Sequence, residues 1–131
     1  MANEGYHEPI AELSDATRDM HRAITSLMEE LEAVDWYNQR VDACKDDELR
    51  AILAHNRDEE KEHAAMVLEW LRRGDPKLNE HLRTFLFTEG PLTAVETAMK
   101  EAGGDGEEPA SSADGSLGIG SLRPASGQGA K

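Results

Sequence analysis

Aromatic side chains make up only 5% of this chain of 131 residues, and Cys44 is its sole cysteine. One thiol excludes an intrachain disulfide framework and argues against a thiolate metal cluster, and it fits a reducing compartment. No run of about eighteen apolar residues exists, and Met1 to Tyr6 lacks a basic segment followed by an apolar stretch. Neither membrane spanning nor secretion is therefore expected. Basic residues are outnumbered, 14 Lys and Arg against 27 Asp and Glu, which leaves a formal net charge of −13 and a pI near 4.7. That field disfavours nucleic acid and anionic membrane surfaces and favours cationic ligands. Internal repeats, a phosphate-binding glycine loop, a dinucleotide-binding glycine pattern and a nucleophile elbow are also missing. The expectation is a soluble cytoplasmic protein, without nucleic-acid or membrane partners, whose thin apolar content needs a second chain to complete a core.

What is present is helical periodicity. After a polar arm, His7-Glu8-Pro9 is expected to open the first helix, since proline is tolerated in a first turn. Leu13, Met20, Ile24, Leu27, Leu31, Val34 and Val41 fall on one stripe, with Thr17 and Asn38 as its polar steps. Such a helix runs roughly thirty residues, or about 45 Å. Ala43 to Glu48 breaks the pattern, and Asp46 or Asp47 can N-cap a second helix running from about Asp47 to Arg73 and closed by Gly74. Asp75-Pro76 then starts a short third helix through Leu78, Leu82 and Phe85 that ends by Gly90-Pro91. Residues 92–100 carry too weak a pattern to count as a further helix. The fold class expected is all-α: an antiparallel two-helix hairpin with a short third helix, spanning residues 1–100.

From Gly103 the composition turns to Gly, Ser, Ala, Asp and Pro, which buries too little apolar surface to offset chain entropy. Residues 101–131 are expected to be a disordered tail. Within it, Ser116 to Arg123 places Leu117, Ile119 and Leu122 between small residues, a pattern that an extended peptide can lay into the pockets of a groove.

The second helix holds the chemistry. Its seam reads Leu49, Leu53, Asn56, Glu60, His63, Val67 and Trp70, apolar at both ends and polar in the middle. A polar group buried without a partner costs about 1–3 kcal/mol, and an unpaired charge more, so this turn asks for a bound cation or a compensating neighbour. Glu60 and His63, at i and i+3, lie over adjacent turns and can hold one metal ion between them. Glu59 is also within reach of the seam, and periodicity does not separate the two; the Glu-x-x-His spacing favours Glu60. Glu30, on the edge of the first helix's stripe, can turn inward to meet them, whereas Glu29 and Glu32 project away. Carboxylate oxygen and imidazole nitrogen suit iron, manganese or zinc.

Di-iron carboxylate bundles take one Glu from each of two helices and a Glu-x-x-His from each of the other two. One copy of this chain supplies half of that set, and a twofold dimer of hairpins supplies all of it. The alternative is a solvated helix face whose Glu-x-x-His is coincidental. Asn56 and Tyr37 are candidate hydrogen-bonding residues behind the ligands, Glu29, Glu32 and Glu62 could form an outer acidic rim, and Met20, Met28 and Met66 read as core filler. Trp36 faces away from the stripe and wants cover, which hints at an assembly larger than a dimer.

The runs Met28 to Tyr37, Ile52 to Ala64 and Leu68 to Arg73 resemble the encapsulated ferritins, and Ser116 to Arg123 is similar to the peptide by which cargo docks inside encapsulin shells. The tail differs from the common peptide in having Ile119 where valine is frequent and Pro124 where a second basic residue is frequent. The resemblance implies a half-ferritin whose dimer rebuilds the ferritin four-helix bundle, with dimers arranged in a ring, commonly a decamer. It further implies ferroxidase activity, Fe(II) oxidised to Fe(III) by O2, with the mineral held in an encapsulin nanocompartment. By the same resemblance Glu30, Glu60 and His63 of each chain are the di-iron ligands, Glu29 and Glu32 the outer metal sites, and Trp36 and Tyr37 their neighbouring aromatics. The rival expectations are a rubrerythrin-like peroxide scavenger, for which rubredoxin cysteines are absent, and a non-enzymatic helical cargo adaptor.

Overall fold

The computed structural model describes residues 5–103, and all regular structure among them is helical. A 3-10 turn at Ile10–Glu12 precedes α1 (Asp15–Ala43), α2 (Asp47–Gly74), α3 (Pro76–Phe85) and α4 (Leu92–Ala102). The tail expected to carry Leu117, Ile119 and Leu122 lies outside the described residues. The chain divides into two compact units, with the boundary between Glu80 and His81 inside α3.

In the first unit α1 and α2 pack side by side as the expected hairpin. The start of α1 differs from expectation: Pro9 opens the 3-10 turn, Leu13 turns extended, and Ser14 is the N-cap, its Oγ accepting from the Thr17 amide at 3.1 Å. A Ser whose hydroxyl can satisfy an orphan amide outcompetes a proline that only tolerates the first turn. The arm is tied back: Arg18 Nη2 donates to the Ile10 carbonyl at 3.1 Å, and the Tyr6 ring lies 4.3 Å from that of His21. At the other end Cys44 goes extended and Asp46 caps α2, its Oδ1 accepting from the Leu49 amide at 2.8 Å.

Gly74 does not close α2 in a left-handed conformation; it is the last helical residue, and Asp75 turns extended after it. Asp75 then caps α3, accepting from the amides of Lys77 and Leu78 at 3.1 and 3.0 Å. A polar knot ties this corner. Arg72 forks onto both oxygens of Glu69 at 2.8 and 2.7 Å and also reaches Asn79, while Arg73 joins Glu69 at 2.7 Å. The two guanidiniums, Arg72 first, hold the Glu69 carboxyl down at about 2, against an ordinary 4.5.

In the second unit α3 stops at Phe85, earlier than Gly90-Pro91, and Phe87 is fully exposed with a φ of 63°. Gly90, at φ 88°, makes the turn into α4, where a side chain would be strained. The 11-residue α4 is a helix that the sequence pattern had not carried. Its Leu92, Val95 and Met99 recur at i, i+3 and i+7, a stripe too short to stand out from local composition.

Burial is the feature that bears on function. Only Ala64 and Leu71 are buried among the described residues. Met20, Leu27, Val34 and Val41 of α1 and Leu53, Val67 and Leu68 of α2 are all half-buried. Ile24, Met28, Leu31 and Trp36 on α1, and Leu49, Ile52, Met66 and Trp70 on α2, are exposed. Two helices cover only one strip of each other, so much of the apolar surface of both remains open to water.

Candidate metal centre

Glu30 sits near the middle of α1, and Glu60 and His63 sit on successive turns of α2. Hairpin packing brings one ligand atom of each within 4.8 Å of the others, the one such cluster of three among the described residues. His63 Nδ1 is 3.1 Å from Glu60 Oε1 and 3.6 Å from Glu30 Oε1. The side chains of Glu30 and Glu60 are 27% and 24% exposed, against 45% for His63, so the carboxylates are set back and the imidazole stands at the mouth.

The electrostatics describe a site that favours added positive charge. A hydrogen bond that the protonated Glu30 carboxyl donates to Glu60, then burial, then the Glu60 charge push the Glu30 carboxyl up, and His63 pulls the other way. His63 is itself raised, mainly by its hydrogen bond to Glu60, burial opposing. Two neighbouring carboxylates repel each other, and a compensating positive charge relieves that repulsion. A divalent cation supplies that charge, and the donor set of two carboxylates and one imidazole fits iron, manganese or zinc.

The other expected site residues fall outside the cluster. Glu59 pairs with His55 at 3.9 Å on the exposed side of α2, so the backbone turns Glu60, rather than Glu59, toward Glu30. Glu29 is exposed and Glu32 half-buried on the far side of α1, and Trp36 is 50% exposed. Tyr37 is half-buried beneath the Arg40 guanidinium, 5.3 Å from the ring centroid, and Asn56 is half-buried one turn before Glu60. Met66 and Met28 are not core filler: they are 61% and 44% exposed, because two paired helices cover only one strip of each other.

An open groove of about 690 Å³ runs from the cluster along both helices, lined by Glu30 and His63 and, further on, by Met66, Val67, Trp70 and the Asp19–Arg22 ion pair. Reading the seam for ligands alone missed this groove. The signal was there in Met66 and Trp70, which continue the i+3 and i+7 steps from His63.

An antiparallel hairpin with two carboxylates and a histidine converging on its open side has the form of a ferritin-like half-bundle. The chain belongs to the EncFtn-like family, whose family model matches residues 5–89. It is 67% identical over 121 residues to an encapsulated ferritin-like protein of Rhodospirillum rubrum, covering 89% of this chain and 86% of the relative. A ferritin-like protein of Thermotoga maritima is 56% identical over 104 residues, 76% of this chain and 91% of its own length. An encapsulin nanocompartment cargo protein of Myxococcus xanthus is 38% identical over 78 residues, 55% of this chain and 60% of its own. Among solved structures, a protein from Nitrosomonas europaea is similar at 72% identity with a TM-score of 0.66, covering 68% of this chain and 98% of that one.

Proposed function

We propose that the chain is one half of a ferroxidase centre, completed when a second copy docks across the open side of the α1–α2 hairpin. The observation that carries this is the half-set itself: Glu30, Glu60 and His63 converge, and a bundle of the di-iron type needs that set twice. A twofold axis beside the cluster gives two Glu30, two Glu60 and two His63 for two Fe(II) ions, which are the substrate. Fe(II) supplies the positive charge that the crowded Glu30 and Glu60 carboxylates favour, and each ion passes one electron to O2. Hard carboxylate oxygens favour the ferric product. The net charge of −13 raises the local concentration of incoming cations, and Glu29 and Glu32 would form outer stations on their route, flanked by Trp36 and Tyr37.

Docking of dimers into a ring would give cover to exposed side chains such as Trp36. The names of the Rhodospirillum and Myxococcus relatives support a place inside an encapsulin nanocompartment. In this reading Leu117, Ile119 and Leu122 of the tail would bind the shell. The test is Fe(II) oxidation in air, followed by near-ultraviolet absorbance. Wild type oxidises Fe(II) well above the protein-free rate, and Glu60→Ala or His63→Ala falls to that background. Rates like wild type in either variant would remove the assignment.

A further inference from the structure

Asn38 is a polar step in the apolar stripe of α1, and a residue of α2 answers it. Arg57 Nη1 donates to Asn38 Oδ1 at 3.0 Å, among the described residues the one hydrogen bond between a side chain of α1 and a side chain of α2 outside the ligand cluster. The other edge of the guanidinium is held as well: Nε donates to Asp58 Oδ1 at 3.0 Å, and Lys61 approaches the same oxygen at 3.4 Å. Arg57 foremost, these two cations keep the Asp58 carboxyl below its usual range. The Arg57 side chain is only 21% exposed. A planar guanidinium fixed at two edges has a set direction, which the single ammonium of a lysine would lack.

We propose that Arg57 is a positioning residue for the metal centre, its bond to Asn38 setting the rotation of α2 against α1 that brings Glu60 and His63 to Glu30. The inference rests on the metal-centre reading above. Arg57 precedes Glu60 by three residues, about 4.5 Å along α2, and Asn38 follows Glu30 by eight, about 12 Å along α1. In an antiparallel hairpin both therefore lie on the same side of the cluster, toward the turn between the helices. Half-buried aliphatic side chains such as Leu27, Val34, Leu53 and Val67 hold helices together without direction, whereas a hydrogen bond weakens steeply when it is bent or stretched. A carboxylate stands about 6 Å from its helix axis, so a rotation of about 20° moves it by about 2 Å. A working ligand set tolerates only about 0.5 Å.

The experiment uses the full-length assembled protein and two readouts: Fe(II) oxidation in air, and the visible spectrum of Co(II) added as a probe without Fe(II). Arg57→Ala and Asn38→Ala should each lower kcat at saturating Fe(II) about tenfold and shift the Co(II) bands, and the double variant should be no worse than either, since all three remove one bond. Asn38→Asp keeps an acceptor oxygen for Arg57 and should restore both readouts. Glu69→Gln, which loosens the corner between α2 and α3 instead, should lower the Tm and leave kcat and the Co(II) bands as in wild type. Asn38 is exposed, so its variants report even where Arg57→Ala does not fold. Wild-type kcat and Co(II) bands in Asn38→Ala, additive losses in the double variant, or equal losses in Glu69→Gln overturn the proposal. Wild-type Fe(II) oxidation no faster than in protein-free buffer refutes the ferroxidase reading and leaves the Co(II) comparison to decide the positioning role. A wild-type Co(II) spectrum identical to that of Co(II) in buffer refutes the metal centre, and this inference falls with it.

Discussion

Anaerobic Fe(II) should drive the chain into dimers, because a single copy offers each cation half a site. One chain presents three ligand atoms, so two Fe(II) ions find complete coordination only between two chains. At a free Fe(II) concentration about a hundredfold above the site's Kd, each ion stabilises the dimer by about 2.7 kcal/mol, and two ions by about 5.4 kcal/mol. That tightens association by close to ten-thousandfold. A smaller, metal-independent contribution comes from the groove. Trp70 is 50% exposed there, and covering the open half of such a side chain buries about 100 Å², or about 2.5 kcal/mol. Sedimentation velocity over a dilution series under nitrogen, with Fe(II) or with chelator, measures both parts. Glu60→Ala should keep the weak metal-free association and lose the response to Fe(II). The same distribution with Fe(II) and with chelator would sink the shared-site reasoning, as would a Glu60→Ala protein that responds like wild type.

Glu69→Gln should lower the Tm at neutral pH by unpairing Arg72 and Arg73. The folded Glu69 carboxyl is held at about 2, below its ordinary 4.5, so its stabilisation is present above pH 4.5 and lost as pH falls through about 2. The gap to wild type should close across that window in thermal melts, and a gap unchanged by pH contradicts it. Its size is about 0.5–1 kcal/mol, because the carboxylate is 41% exposed and screened by water. Deleting residues 117–123 should leave Fe(II) oxidation intact and prevent co-purification with a co-expressed encapsulin shell; retained encapsulation would remove the docking role.

Much of the hairpin was legible because the rules that build it are local. Asp46 before α2 and Asp75-Pro76 before α3 act through amides two or three residues away; the structure caps α3 with Asp75 as expected and, of the two candidates for α2, takes Asp46 over Asp47. Leu27 and Val34 on α1 and Leu53 and Val67 on α2 fall on the expected 4-3 stripes and are half-buried. Where two local signals competed, sequence was less decisive: Ser14 prevailed over Pro9 at the start of α1, and α4 rests on three large apolar residues in eleven.

By itself the sequence determined that two long amphipathic helices form, that Glu60 and His63 share a helix face, and that the apolar content is too small for one chain to enclose. Those properties depend on spacing along one helix and on composition. Tertiary structure decided the rest: that Glu30 reaches Glu60 rather than Glu59, that His63 stands at the mouth, and that Met66 and Trp70 line an open groove. Each of these depends on how far α1 and α2 are rotated about their own axes. A stripe about 100° wide leaves that angle free until the facing helix is packed against it.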